Sequence, residues 1–247
     1  MPDSLAAELL DLGVQRGGTL LVHSSLRALG PLDGGAETVV RGLLEALGLD
    51  GTLLMPALSY EAVTAANPRF DAVSTPSCIG ALPACFRTRP GTMRSIHPTH
   101  SVCGTGRLAA ELLAGHELDS TPCGLHSAFA RLPGTGGQIL FLGCTLRPNT
   151  SLHAVEERIE PVYLYGDWID YSIRFTDGRE SRMRVRSHSF SGWIQRYDRI
   201  AGLLSEPALR HGRVGLAECF LVDAAPMWAA ALEALRRDPL HFVEAVR

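Results

Sequence analysis

His153 and Glu156 stand three apart in the stretch Asn149-Thr150-Ser151-Leu152-His153-Ala154-Val155-Glu156. Pro148 and Asn149 read as a helix start, with Asn149 a good N-cap. Leu152, Val155 and Ile159 fall at i, i+3 and i+7, the core-facing stripe of such a helix. His153 and Glu156 are then neighbours on its other face. An imidazole beside a carboxylate is what a general base needs: the ring accepts a proton, and the carboxylate orients it and stabilises the imidazolium. The plainer alternative is a surface pair contributing roughly a few tenths of a kcal/mol.

Four further patterns could carry chemistry. Arg182, Arg184, Arg186 and His188 alternate with Met183, Val185 and Ser187, so a strand would put the four on one face. Arg forks suit phosphate or carboxylate, against the alternative of a solvated face. His97 and His100 are three apart, but Pro98 keeps a regular helix from presenting both, which favours a loop or strand with backbone-fixing roles over a metal site. No metal is expected. Cys103-Gly104-Thr105-Gly106-Arg107-Leu108-Ala109 contains a formal G-x-G-x-x-A, yet the strand before it is short. The acidic residue needed about 20 positions on is replaced by the turn-like Ser120-Thr121-Pro122-Cys123-Gly124, so the motif is a decoy. Six cysteines at 78, 85, 103, 123, 144 and 219 form no C-x-x-C pair, against zinc-ribbon and thioredoxin chemistry. Cys144 ends an apolar run and reads as core rather than nucleophile.

The elements that position these groups alternate. Leu5 to Leu12 reads as a short helix and Thr19 to His23 as a buried strand running into Ser24 to Gly30, a turn where backbone N–H groups could meet a phosphate. Ala36 to Leu47 is a helix and Thr52 to Pro56 a second strand, so α/β layering follows. Tyr60 to Ser77 is a long loop, of the kind that is usually functional. A helix over Ile79–Arg87, a strand over Gln138–Cys144 and the His153 helix come next. Val162 to His188 is rich in aromatic and β-branched residues, with Thr176-Asp177-Gly178-Arg179 as a hairpin turn. A helix over Trp193–Leu204, a Gly-punctuated stretch Gly212–Val222 and a helix over Pro226–Arg237 close the chain.

Composition bounds the function. The 247 residues suffice for one large domain, taken as 1–247, with 46% apolar residues and a formal net charge of -3. Neither disorder nor a nucleic-acid surface is suggested. All 23 basic residues are Arg, which removes any Schiff-base lysine. The apolar runs are too short for a membrane span, the early Asp3 and Glu8 do not suit a signal peptide, and a reducing cytoplasm is the simplest home.

Taken in order, these motifs resemble the aminoglycoside 3-N-acetyltransferase family, the antibiotic N-acetyltransferases distinct from the GNAT fold. The resemblance rests on His23-Ser24-Ser25-Leu26 with Leu29-Gly30, Gly34-Gly35, Met55-Pro56, Thr75-Pro76-Ser77 with Ile79-Gly80, and Arg94 to Ser101. It continues through Gly124–Leu132, Leu142-Gly143, Asn149 to His153 with Glu156, Arg196-Tyr197-Asp198 and Asp238-Pro239. It implies an α/β/α sandwich with a central mixed sheet, here with an antiparallel hairpin insertion at about 162–190 in the C-terminal half. It implies acetyl-coenzyme A as co-substrate, a small-molecule primary amine as acceptor and His153 as general base with Glu156 its partner. His23, Ser24, Ser25, Leu26, Arg27, Leu29, Gly30, His97 and Ser101 are assigned to coenzyme A, and Tyr60, Asp71, Arg186 and His188 to the acceptor. Oxyanion donors are sought near Ser24, Ser25 or Ser101. No nucleic-acid or membrane partner is expected, and a homodimer is compatible with the family. Competing classes are a coenzyme-binding member without transferase activity and a metal-assisted hydrolase built on His97, His100 and His153.

Two departures matter. After Leu82-Pro83, where the family carries an acidic residue, this chain has Ala84-Cys85. The 162–188 segment resembles the shorter members, and its Arg face would repel a polycation, which points to an anionic or neutral acceptor unless the arginines hold coenzyme phosphates. Replacing Arg182 and Arg184 with Ala raises the acceptor KM in the first case and the donor KM in the second. Steady-state kinetics with each substrate varied separates the two, and unchanged constants return the stretch to a solvated face.

Overall fold

Leu20 and Val22 point to one side of the first strand, Leu21 and His23 to the other, and this alternation divides the protein into layers. The computed structural model describes residues 2–246. Its helices are α1 (Pro2–Leu12), α2 (Gly35–Leu47), α3 (Ala81–Thr88), α4 (Ala109–Leu113), α5 (Ala128–Arg131), α6 (Ser151–Glu156) and α7 (Ala224–Arg237). Its strands are β1 (Thr19–Ser24), β2 (Thr52–Pro56), β3 (Arg69–Asp71), β4 (Met93–Arg94), β5 (Val102–Gly106), β6 (Gln138–Leu142), β7 (Tyr165–Arg174), β8 (Glu180–His188), β9 (Trp193–Gln195), β10 (Leu209–Val214), β11 (Ala217–Asp223) and β12 (Val243–Ala245).

The main sheet runs β10-β11-β6-β1-β2-β5-β4. Its centre, β6-β1-β2, is parallel, and the strands on both sides of that centre are antiparallel. β2 and β6 are buried along their whole length, as strands covered on both faces must be. Leu9, Val39, Leu43 and Phe86 from α1, α2 and α3 pack on the face of Leu20 and Val22. Phe129, Leu152, Val155, Met227 and Leu235 from α5, α6 and α7 pack on the face of Leu21, Ile139 and Phe141. Each such side chain contributes about 1.5–3 kcal/mol on burial. The protein is thus an α/β/α sandwich with a mixed central sheet. The β7–β8 hairpin, turning at 176–179, forms a separate three-stranded sheet with β3 over Phe70, Tyr171, Ile173 and Val185.

Four sequence expectations change. The 60–77 loop contains β3, which pairs parallel to β7 because Phe70 needs a covered face. Residues 193–204 are not an α-helix: β9 pairs with β12, and a 3₁₀ helix follows over Tyr197–Leu203. Tyr197 and Ile200, three apart, are its buried residues, and a three-residue turn stacks them on one side. The Gly212–Val222 stretch is the β10–β11 hairpin, with Ala217, Cys219 and Leu221 inward and the tight turn at Gly215, φ +58°. Asn149 does not cap α6, which starts two residues later. Its amide is buried, with Nδ2 3.2 Å from Met227 Sδ on α7, and so is turned away from the helix N–H groups.

The G-x-G-x-x-A glycines serve packing. Both lie inside β5, where a Cβ on Gly104 would come 2.7 Å from Leu54 Cδ2. Gly106 has φ +110°, and its Cβ would run into the carbonyl oxygen of Gly51 on the neighbouring backbone. Gly106→Ala is therefore expected to destabilise the fold by about 2 kcal/mol or more, since backbone cannot move aside as a side-chain tip can. Urea denaturation measures it, and a loss under about 0.5 kcal/mol, the range of a neutral surface change, would contradict this account.

Candidate active site

The parallel strands β1 and β6 end side by side, Ser24 opposite Leu142, and the chain leaving β6 carries the site. Gly143, φ +70°, turns the chain where a Cβ would press within 2.7 Å of Ala28 Cβ. The chain then enters α6, whose six residues are all buried. Leu152 and Val155 enter the core as the spacing predicts, but the opposite face is covered too, so His153 and Glu156 are no surface pair. Burying a carboxylate requires donors. Glu156, fully buried, takes hydroxyl hydrogens from Tyr163 (2.7 Å to Oε1) and Tyr197 (2.6 Å to Oε2).

Tyr197 also lies 2.7 Å from His153 Nδ1, whereas Glu156 Oε2 is 3.3 Å from the same nitrogen. An ionised carboxylate only accepts, so the Tyr197 hydrogen goes to Glu156 and its oxygen receives Nδ1–H of His153. The order is imidazole, tyrosine, carboxylate. Nε2 is left with a lone pair. His153 lines a cavity of about 470 Å³ together with His23, Ser24, Tyr60, His100, His188 and Tyr197.

A second carboxylate backs a second histidine. Glu157 receives Thr121 Oγ1–H (2.6 Å), the Cys123 N–H (2.8 Å) and His188 Nε2 (2.8 Å). Burial raises its carboxyl to about 7 despite these donors. His188 and His100 are held well below the usual imidazole range, first by burial and then by the other histidines. His23, stacked on Phe141 at 5.1 Å, is lowered to about 3 by burial and by His153. The wall above His153 is Phe190, ring centroids 5.2 Å apart, held at the unusual φ of +51°.

The residues assigned from sequence divide. His153, Glu156, His23, Ser24, Tyr60 and His188 come together at this cavity or directly behind it. Ser24, Ser25, Leu26, Arg27 and Gly30 line an adjoining cavity of about 590 Å³. Leu29 does not, being part of the core against β11. His97 and Ser101 have no accessible surface and cannot touch a coenzyme. Ser101 instead donates to the Ala57 carbonyl and accepts from Arg94, and His97 Nδ1 accepts from the N–H groups of Thr99 and His100. Asp71 holds its own turn through Val73 and Ser74 N–H groups and faces a separate depression of about 780 Å³, with Arg174 and Arg182. Arg186 lies over the Tyr165 ring, 4.4 Å from its centroid, and Arg184 is exposed beside Asp170 and Trp168. None of Asp71, Arg184 and Arg186 lines the His153 cavity. Sequence reasoning misses Tyr163 and Tyr197 as the ligands of Glu156, and Glu157 as the partner of His188. Tyr197 is visible within Arg196-Tyr197-Asp198, but only the fold brings it to His153.

No helix of the described residues is long and apolar enough to cross a membrane, and all six cysteines are free. The family model for aminoglycoside 3-N-acetyltransferase matches residues 21–236. The chain is 30% identical to an aminoglycoside N(3)-acetyltransferase IX of Micromonospora chalcea, covering 91% of this chain and 89% of that one. It is 33% identical to an aminoglycoside N(3)-acetyltransferase IV of Salmonella sp, covering 97% and 88%. Among solved structures, a histidine-to-alanine mutant of aminoglycoside acetyltransferase AAC(3)-IVa in complex with a gentamicin superposes with a TM-score of 0.83 at 32% identity, covering 98% and 90%. A binary complex of AAC-IIIb with CoASH superposes with a TM-score of 0.82 at 28% identity, covering 96% of each chain. The chain therefore belongs to the aminoglycoside 3-N-acetyltransferase family of acyltransferases.

Proposed function

We propose that this chain moves an acetyl group from acetyl-coenzyme A to a primary amine of an aminoglycoside-class acceptor, with His153 as general base. The observation that carries this reading is the chain from His153 Nδ1 through Tyr197 to buried Glu156, which leaves Nε2 free at the cavity. The cavities also fit the substrates. They meet at Ser24, which lines both, so a thioester can sit at the junction with its acceptor on the His153 side. Leu26, Leu32 and Leu82 give the second cavity apolar walls for an alkyl arm, and Arg27 gives a cation for phosphate.

Acetyl-coenzyme A, when bound, supplies an activated acyl carbon. A primary amine near neutral pH is mostly protonated and first sheds one proton to solvent; the neutral nitrogen then adds to that carbon as His153 Nε2 takes a second proton from it. Nδ1–H stays on Tyr197, and the imidazolium is stabilised through it by Glu156. The Ser24 hydroxyl, half-buried at the junction, is placed to donate to the carbonyl oxygen as negative charge grows there. As the C–S bond breaks, His153 returns its proton to the departing sulfur. Ser101 takes no part, since its hydroxyl is committed to Ala57.

A specific observation favours a second reading of the acceptor. The His153 cavity has no acidic side chain among its lining residues and does have Arg147. That lining suits a neutral or weakly cationic amine better than a polycation. Thiol release measured across aminoglycosides, neutral amines and anionic amines decides between them. Turnover confined to the last two groups would replace the first acceptor class with the second, and no thiol release from any amine would overturn the transferase reading.

His153→Ala should lower kcat by roughly 10²–10⁴-fold with coenzyme binding retained by calorimetry. Tyr197→Phe should lower kcat and change its pH profile while the donor KM stays put. If Tyr197→Phe keeps full kcat and the wild-type profile, the tyrosine link is wrong. Glu157 gives a separate pH test. Its folded carboxyl, about 7, lies above its ordinary value of 4.5. Stability from this group is therefore full below pH about 4.5 and falls as pH rises towards 7, by about 3 kcal/mol at most. Glu157→Gln should flatten the fall in Tm between pH 5 and 7, and an equal slope in both proteins would refute the shift.

A further inference from the structure

His100, His153 and His188 reach the cavity from three separate elements: the loop before β5, helix α6 and the end of β8. One ring nitrogen of each lies within 4.8 Å of the others. In every ring one nitrogen is already engaged. His100 Nδ1 bonds Thr99 Oγ1 (2.9 Å), His153 Nδ1 bonds Tyr197 Oη (2.7 Å), and His188 Nε2 bonds Glu157 Oε1 (2.8 Å). That is how metal-ligating histidines are oriented, one nitrogen on a carboxylate or hydroxyl and the other presented to the ion. His188 Nδ1 adds an independent sign, because it is buried with no hydrogen-bond partner among the described residues. The mechanism leaves it unused.

We propose that His100, His153 and His188 form a binding site for a transition-metal cation, fitted best by Zn²⁺, and that the metal-bound form is catalytically silent. Three imidazoles with a fourth position open to the cavity match the tetrahedral preference of zinc. Zn–N bonds of about 2.0–2.1 Å place ligand nitrogens about 3.4 Å apart, so the three rings close inward by about 1 Å or less. An all-imidazole set selects Zn²⁺, Co²⁺, Ni²⁺ or Cu²⁺ over Mg²⁺ and Ca²⁺, which take oxygen. His97 is not a ligand, its Nδ1 being committed to two backbone N–H groups. The silent state rests on the reading of His153 as base: a metal on Nε2 occupies the lone pair that would take the proton.

The test is direct titration of the metal-stripped full chain with Co²⁺, followed by Zn²⁺ competition. One equivalent of Co²⁺ should give visible d–d absorption with no thiolate charge-transfer band, displaced by Zn²⁺ and untouched by Mg²⁺. His100→Ala and His188→Ala should each weaken binding roughly 100-fold, while His126→Ala, at a half-exposed histidine paired with Asp119, leaves it unchanged. Circular dichroism and Tm check each fold, and His188→Gln, which keeps the side chain's bulk and a donor for Glu157, replaces any variant that fails. No d–d band, a thiolate band, or wild-type affinity in both His100→Ala and His188→Ala overturns the site and leaves the role of His153 as base intact. Zn²⁺ should also abolish acetyl transfer reversibly, with a chelator restoring it. Stoichiometric binding that depends on His100 and His188 yet spares transfer overturns the silent state and the base role together.

Discussion

A carboxylate with no access to water anchors this structure. Glu156 sits on a helix of only six residues, too short to be stable by itself, and its charge must be met inside the protein. The donors come from distant parts of the chain: Tyr163 from the approach to β7, and Tyr197 from the 3₁₀ helix after β9. Tyr197 is in turn held against Phe242, near the chain end, by an edge contact with ring centroids 6.1 Å apart. The β9–β12 pairing and the Arg196–Asp198 and Arg196–Glu244 ion pairs fix the backbone on either side of it. Residues 193–198 and 242–245 thus together hold one phenol in place. Removing that hydroxyl would leave a buried carboxylate short of a donor as well as an imidazole without its nearest partner.

Two adjacent glutamates show how environment divides roles that sequence cannot. Glu156 and Glu157 have the same chemistry and leave the helix in different directions. One receives two phenols and stands behind His153; the other meets a threonine hydroxyl, a backbone N–H and an imidazole. The second is raised to about 7 because burial outweighs the Thr121 and Cys123 donors, so its charge varies near neutral pH. Through His188 that variation reaches the cavity wall, since His188 faces His153 with ring centroids 4.9 Å apart.

The layers are legible in the sequence because their signals are local. Continuous apolar runs such as Gln138–Leu142 and the spacing of Ala36–Leu47 are readable wherever they occur. The His153–Glu156 pairing is readable for the same reason, being one helical turn. Legibility fails where long-range contacts decide. Tyr197 reads as part of an α-helix because its apolar neighbours permit either turn, and only pairing of 193–195 with 243–245 selects the strand and the tighter helix. His97 and Ser101 carry the polar character of site residues, but their hydrogen bonds go inward to fix the 94–101 loop. His188 reads as the last member of an arginine face. The register of the hairpin shifts between Tyr165 and Trp168, next to His188, and His188 lines the cavity while Arg182 and Arg184 do not.

The crowding of histidines has a consequence for proton transfer. His23, His100 and His188 are all driven towards the neutral form by burial, and His153 opposes protonation of each. Each carboxylate behind the cavity meets a different ring: Glu156 reaches His153 through Tyr197, and Glu157 meets His188 directly. On the proposed reading, a proton taken from an amine by His153 has beside it only imidazoles that burial keeps from accepting it. The departing sulfur is then the outlet that the proposed transfer requires.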